Sequence, residues 1–224
     1  MTDIKDKKVR ANLGDARERL MEVAEKMFAE RGFDATSVRD LTAAAECNLA
    51  AVNYHFGSKE ALYREMFVRR LRQFRESRLA SISSVMESKE QATLERLLYS
   101  FSRAFLKPFE DVQESEIFMK LYSREVLEQR LNPRLFVEEL AEPTLSNMAE
   151  ALCTICPDVE KSKAMPCIVS LISQLIHMQQ VKRMLSGQVD ELAKVVTETE
   201  TMLAHIVRFT AAGIRFYEKG TSNA

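Results

Sequence analysis

The chain has 224 residues, 46% of them apolar and 29% charged, with six Gly, five Pro and a formal net charge of −1. This composition excludes a disordered or fibrous chain and allows one large domain or two unequal ones. No apolar run approaches the ~18–20 residues of a membrane span. The opening "MTDIKDKKVR" has no apolar core behind its charges, so it is not a secretory signal and a cytoplasmic protein is expected.

The small net charge conceals a division, with +3 through Leu79 and −4 beyond it. A basic first third is what a nucleic-acid surface requires.

In chain order, residues 1–14 carry charge without periodicity and read as a flexible arm. Asp15 then opens a helix with Leu20, Val23, Ala24, Met27 and Phe28 on one stripe, Gly32 as its C′ stop and Phe33 folding back on it. In "DATS", Thr36 or Ser37 is the N-cap of a short second helix, with Asp40 near N3 of a capping box. Val38, Leu41 and Ala45 give that helix its apolar side. "ECN" is a three-residue turn, and Asn48 caps a third helix, Leu49 to Phe56, with Leu49, Val52 and Phe56 spaced to face inward. Gly57 stops it and Ser58 caps a long Arg-rich fourth helix reaching roughly Ser84.

Five further helical stretches follow, over 91–109, 115–131, 133–155, 164–185 and 191–217, with Pro143 as a kink or break in the third. No strand-like alternation and no repeat is visible. The expected fold is all-α, about nine helices, with an N-terminal helix-turn-helix domain over 15–70 (the motif at about 37–57) and a larger helical domain over 71–224, to which the resemblance described below assigns effector binding and dimerisation.

Two short helices joined by a tight turn form the helix-turn-helix arrangement, whose second helix enters the DNA major groove. The outer side of the third helix offers Ala50, Ala51, Asn53, Tyr54 and His55, unusual for a core-facing helix. Leu49, Ala50 or Ala51 can meet a thymine methyl group, and Asn53 has the amide that pairs with adenine. Tyr54 and His55 suit phosphates, as do the helix starts at Thr36-Ser37 and Ser58-Lys59.

The run "TSVRDLTAAAECNLAAVNYHFGSKEALY", Thr36 to Tyr63, with "RERLMEVAEKMFAERGFDATS" before it, resembles the N-terminal signature of the TetR family of bacterial transcriptional regulators. The likeness covers about Asp15 to Arg70. Two departures stand out: Glu46 and Cys47 replace a frequent Gly-Val, and the recognition helix lacks the frequent cation near its start. The resemblance implies a homodimer on a palindromic operator. It implies phosphate contacts from Thr36, Ser37, Tyr54, His55 and Lys59, base contacts from Asn48, Leu49, Ala50, Ala51 and Asn53, and a small effector bound further on.

Past Leu79 no motif is legible. Phe101, Phe105, Phe118, Met119, Tyr122, Met148 and Met178 are candidates for an apolar or amphipathic effector pocket. The last helix carries two stripes, one of Leu203, Ile206, Val207, Thr210 and Ile214, the other of Met202, His205, Phe209, Ala212 and Phe216. A helix apolar over so wide an arc must be covered on more than one side. Ile168, Ile172, Leu175, Ile176, Met202, His205, Ile206 and Phe209 are therefore the candidate dimer face.

Cys153 and Cys156 have Cys-x-x-Cys spacing, with Cys167 and His177 beyond, yet they sit at a helix end with irregular intervals. Structural thiols are preferred to redox or zinc chemistry. No cofactor or metal is expected, and three scattered His with no Gly-rich phosphate loop argue against an enzyme. The expected function is a ligand-released repressor; the alternative is a helical protein-interaction module that does not bind DNA.

Overall fold

The computed structural model describes residues 2–88, 91–110, 112–185 and 198–219, with side chains from 16 onward except at 112–114 and 219. Every regular element among them is helical: α1 (Thr2–Arg31), α2 (Val38–Ala44), α3 (Ala51–Phe56), α4 (Lys59–Glu87), α5 (Leu94–Leu106), α6 (Val112–Glu128), α7 (Arg134–Phe136), α8 (Glu142–Ile155), α9 (Lys161–Met184) and α10 (Thr199–Lys219). The helix expected from 191 begins, in the described part, at Thr199; residues 191–197 lie outside the described residues.

The chain divides into two compact units, Met1–Arg72 with Asp111–Phe136, and Gln73–Glu110 with Val137–Ala224. This corrects the expected single boundary near residue 70. Helix α6 belongs with the N-terminal residues because Leu121 is buried in their core, and Ile117 and Phe136 pack against it.

In the first unit, α1 is helical from Thr2, over the residues 1–14 expected to form a flexible arm. Residues 4–13 are mostly Lys, Arg, Ala and Leu and contain no Pro or Gly, which favours helix without an apolar stripe. The helix ends as expected: Gly32 has φ +84 and Phe33 stacks on Phe28 with ring centroids 5.6 Å apart. Arg124 of α6 donates from Nε to Ala29 O at 3.3 Å and from Nη2 to Glu30 O at 3.3 Å, satisfying carbonyls that the helix end leaves open. The core is Leu20, Phe28, Leu41, Val52, Leu62 and Phe67, all buried.

Glu125 is a buried carboxylate in this unit, accepting from the Tyr63 hydroxyl at 3.0 Å and from Leu131 N at 2.7 Å. Burial and the Glu125 charge raise the Tyr63 phenol well above its ordinary range, so it stays a donor and ties α4 to α6.

In the second unit, α10 packs against α9 and α5, and α8 against α9. Leu97, Phe101, Leu152, Leu171, Leu203 and Ile214 meet in its core. Pro143 stands in the first turn of α8, just after a π-helical turn over Val137–Ala141. A Pro lacks the N–H that would bond back into the preceding turn, so the irregularity falls where a kink was expected.

The candidate effector residues do not form one group. Phe101, Phe105, Met148 and Met178 are buried in the second unit's core. Phe118, Met119 and Tyr122 fall in the first unit, where Tyr122 is exposed and its ring stands 6.0 Å from Phe118 and 6.0 Å from Phe136. The candidate dimer residues separate as well. Ile168, Leu175 and Ile206 are buried within the unit, whereas Ile176, His205 and Phe209 are exposed and Ile172 and Met202 half-buried. The helical period assigns them to two faces, and intramolecular packing uses one.

Candidate nucleic-acid interface

The α2–α3 corner is built from caps. Ser37 is the N-cap of α2: its hydroxyl accepts from Asp40 N at 3.1 Å, and the Asp40 carboxylate accepts from Ser37 N at 3.1 Å, a reciprocal capping box. The Ser37 hydroxyl also donates to Asp40 at 2.6 Å, and these contacts hold the Asp40 carboxyl below its ordinary range.

At the other end Cys47 N donates to Thr42 O at 2.8 Å and Glu46 N to Ala43 O at 3.2 Å. That pair of bonds is a Schellman closure, with Glu46 as its left-handed residue at φ +53. Arg19 of α1 adds a bond from Nε to Ala45 O at 3.0 Å. Asn48 Oδ1 then accepts from Ala50 N at 3.0 Å, turning the chain into α3. The helix begins at Ala51, two residues later than expected, so Asn48 acts through a turn ahead of the helix and Ala50 stands at the N-cap position.

Leu41, Ala45 and Val52 face the core. Outward, Asn48, Leu49, Ala50, Asn53 and Tyr54 are exposed on one side of the turn and helix, with Leu49 at 59% and Tyr54 at 70%. Of Leu49, Val52 and Phe56, all expected to face inward, Val52 is buried and Phe56 packs half-buried against the core, whereas Leu49 stands outside it. His55 is half-buried, its ring edge-on to Tyr54 at 4.9 Å. Ala51 is half-buried against the core, which limits its reach outward.

Two expected phosphate contacts are occupied elsewhere. Thr36 is 0% exposed and its hydroxyl donates to Gly32 O at 2.8 Å, closing the end of α1. Lys59 Nζ donates to Phe33 O and Thr36 O, each at 3.0 Å, and lies 4.0 Å from the centroid of the Phe33 ring. Its ammonium holds the loop before α2 to the start of α4.

Arg39 was overlooked. It is exposed on α2, and its side chain makes no hydrogen bond or ion pair among the described residues. Its signal was its place in "TSVRD", two residues beyond the N-cap. Arg19 had no such signal, because its partner is a backbone carbonyl 26 residues away.

The thiols are free. Cys153 Sγ donates to Val159 O at 3.3 Å. Burial pushes the Cys156 thiol up to about 12, with Glu218 beside it adding to the effect, and burial raises Cys167. Cys156 and Cys167 therefore resist forming thiolates, which argues against a reactive role for Cys156.

Residues 20–66 match the model of the bacterial regulatory proteins of the tetR family, and residues 103–213 match the tetracyclin repressor-like C-terminal domain. The chain belongs to the TetR family. Its members are regulatory proteins and not enzymes. Among curated relatives, the HTH-type transcriptional repressor KstR2 of Mycobacterium tuberculosis is 30% identical over 133 residues, 59% of this chain and 62% of its own length. KstR2 of Rhodococcus jostii is 31% identical over 127 residues, 55% of this chain and 57% of its own. The matched stretch thus spans about three-fifths of each relative. A putative TetR-family regulator from Mesorhizobium loti has the same fold, with a TM-score of 0.65 over 89% of this chain and 96% of that one, at 17% identity.

Proposed function

We propose that this TetR-family chain is a cytoplasmic transcriptional repressor that binds a palindromic operator as a homodimer and is released by a small apolar or amphipathic effector. The observation that carries the reading is the exposed row Asn48, Leu49, Ala50, Asn53 and Tyr54, held on a short helix whose opposite side is fixed by Val52 in the core. A polar and aromatic surface of this kind has no use in the fold and fits a major groove. Asn53 reads a base, Leu49 and Ala50 meet thymine methyl groups, and Ser37, Tyr54, His55 and Arg39 hold phosphates. Arg39 takes the role that Lys59, bonded to carbonyls, has less freedom to fill. Repressor activity agrees with that of the KstR2 relatives, which are transcriptional repressors.

Effector and operator oppose each other through a coupling free energy between the two sites. The test is titration of genomic duplex fragments at two salt concentrations. A DNA reader shows a steep salt slope, and a protein-interaction module shows none. Arg39→Ala should reduce that slope by about 1 and weaken all sequences alike, while Asn53→Ala relaxes preference at particular bases. Unchanged base preference in Asn53→Ala overturns the base-reading assignment.

A further inference from the structure

Arg78 of α4 is the one charged group of the second unit, among the described residues, that is buried to 8% exposure with no hydrogen bond or ion pair. Its Nε is fully enclosed and unbonded. What it has is aromatic: the guanidinium carbon lies 4.1 Å from the centroid of the Phe105 ring and 5.9 Å from that of Phe74. Ring contacts favour a cation but accept no hydrogen bond, and a guanidinium presents five N–H donors. An enclosed cation without an anion costs more than such contacts return, so proteins pair such groups or use them. Three other arginines of the unit, each more exposed, have carboxylate partners: Arg75 with Glu139, Arg103 with Glu110 and Glu200, Arg215 with Glu95.

The Thr144 and Thr210 hydroxyls are also enclosed without partners, but they are neutral.

We propose that Arg78 receives the acid group of the effector, which is therefore an organic anion: an apolar body ending in a carboxylate that the guanidinium binds through two parallel N–H···O bonds. This rests on the reading of the second unit as the effector domain and adds the ligand's charge to it. Phe101, its ring centroid 6.4 Å from that of Phe105, continues the apolar surface along α5 from the ring that Arg78 covers, which would suit an apolar body attached to the acid. Desolvation pulls Arg78 down to about 10, which leaves it protonated at neutral pH and able to hold an anion. A bidentate guanidinium–carboxylate pair is strong and directional, so the acid end would fix the ligand's orientation while the core accepts varied apolar bodies.

The experiment uses the full chain, thermal melting and calorimetry, with straight-chain and arylalkyl carboxylates of six to fourteen carbons, each against its own alcohol. The expected result is that at least one carboxylate raises the melting temperature where its alcohol does not. Arg78→Met should weaken that carboxylate by about 10- to 100-fold, the range for losing hydrogen bonds to a charged group. Arg78→Lys should retain part of the preference for acid over alcohol.

Ligand-free Arg78→Met should melt no lower than the parent, because a similar apolar side chain replaces an unpaired cation. A clear loss of stability in ligand-free Arg78→Met would mean that the chain supplies its own counter-charge, and would overturn the proposal. So would a panel in which no carboxylate outperforms its alcohol. Operator binding by the ligand-free protein is measured separately, so failure here leaves the DNA-binding reading standing, and failure there does not depend on Arg78.

Discussion

Glu46 holds a left-handed backbone at φ +53, at the C′ position where α2 closes. For a residue with a Cβ that conformation costs about 1–2 kcal/mol. Glycine avoids the strain but brings back about 0.5–1 kcal/mol of chain entropy in the unfolded state. Glu46→Gly should therefore stabilise the first unit by roughly 0.5–1 kcal/mol, a rise of about 1–4 °C in melting temperature for a chain of this size. Its exposed side chain has no hydrogen bond or ion pair among the described residues, so the gain comes without a lost contact. A lower melting temperature would mean that the turn draws support from the carboxylate itself. Cys156 gives a second prediction at this scale. The folded protein holds its thiol up to about 12, against an ordinary value of 9.0. Because the folded pKa is raised, the stabilising effect is complete below pH 9 and is lost as pH climbs from 9 toward 12. Cys156→Ala should flatten that part of the stability-versus-pH curve, read by denaturant unfolding at pH 8, 9.5 and 10.5, and iodoacetamide at pH 8 should leave Cys156 unmodified in the native protein.

Among the elements, those whose signals are local were legible: the Gly32 stop, the Phe33 fold-back, the Ser37–Asp40 capping box and the Ser58 cap, whose hydroxyl accepts from Ala61 N at 3.0 Å. The start of α3 and the side of Leu49 were not. Spacing alone cannot tell a first helical residue from a turn residue, and the Schellman closure at Glu46 delays the helix by two positions. The placement of α6 was equally hidden, since Leu121, Arg124 and Glu125 find their partners up to 95 residues away along the chain. Thr36 and Lys59 show the same limit in the candidate site. A motif names residues that can touch phosphate, but not which of them the fold has already engaged. Lys59 joins the start of α4 to the loop that precedes α2, so Lys59→Ala should cost about 1–3 kcal/mol as two carbonyls lose a charged donor. The measurement is a thermal melt without DNA. An unchanged melt with weaker binding to every sequence would return Lys59 to the phosphate role.

At the scale of the whole molecule, the last helix divides its two stripes between two uses. Leu203, Ile206, Val207, Thr210 and Ile214 are buried in the second unit, while His205, Phe209, Ala212 and Phe216 face outward, Phe209 at 62% exposure with the His205 ring stacked 6.3 Å away. On α9 Val169 and Ile176 are exposed one heptad apart. Single exposed apolar residues are ordinary, but a line of them along one helix, with two rings that can each bury about 150–250 Å², marks a surface awaiting a partner. In the proposed dimer this line meets its own two-fold copy, so any residue near the axis is brought close to itself. Phe209→Glu should therefore do double damage, by removing apolar area and by setting two carboxylates near each other in a partly dry interface. Sedimentation at micromolar concentration should show a 25.6 kDa monomer in place of a species of twice that mass. Operator affinity should fall steeply in the same variant, because each subunit's α3 must then find its half-site alone and the gain from tethering the second contact is lost. The monomer should still melt cooperatively, since Phe209 contributes nothing to either buried core. A variant that kept its doubled mass and its operator affinity would place the dimer contact on another face.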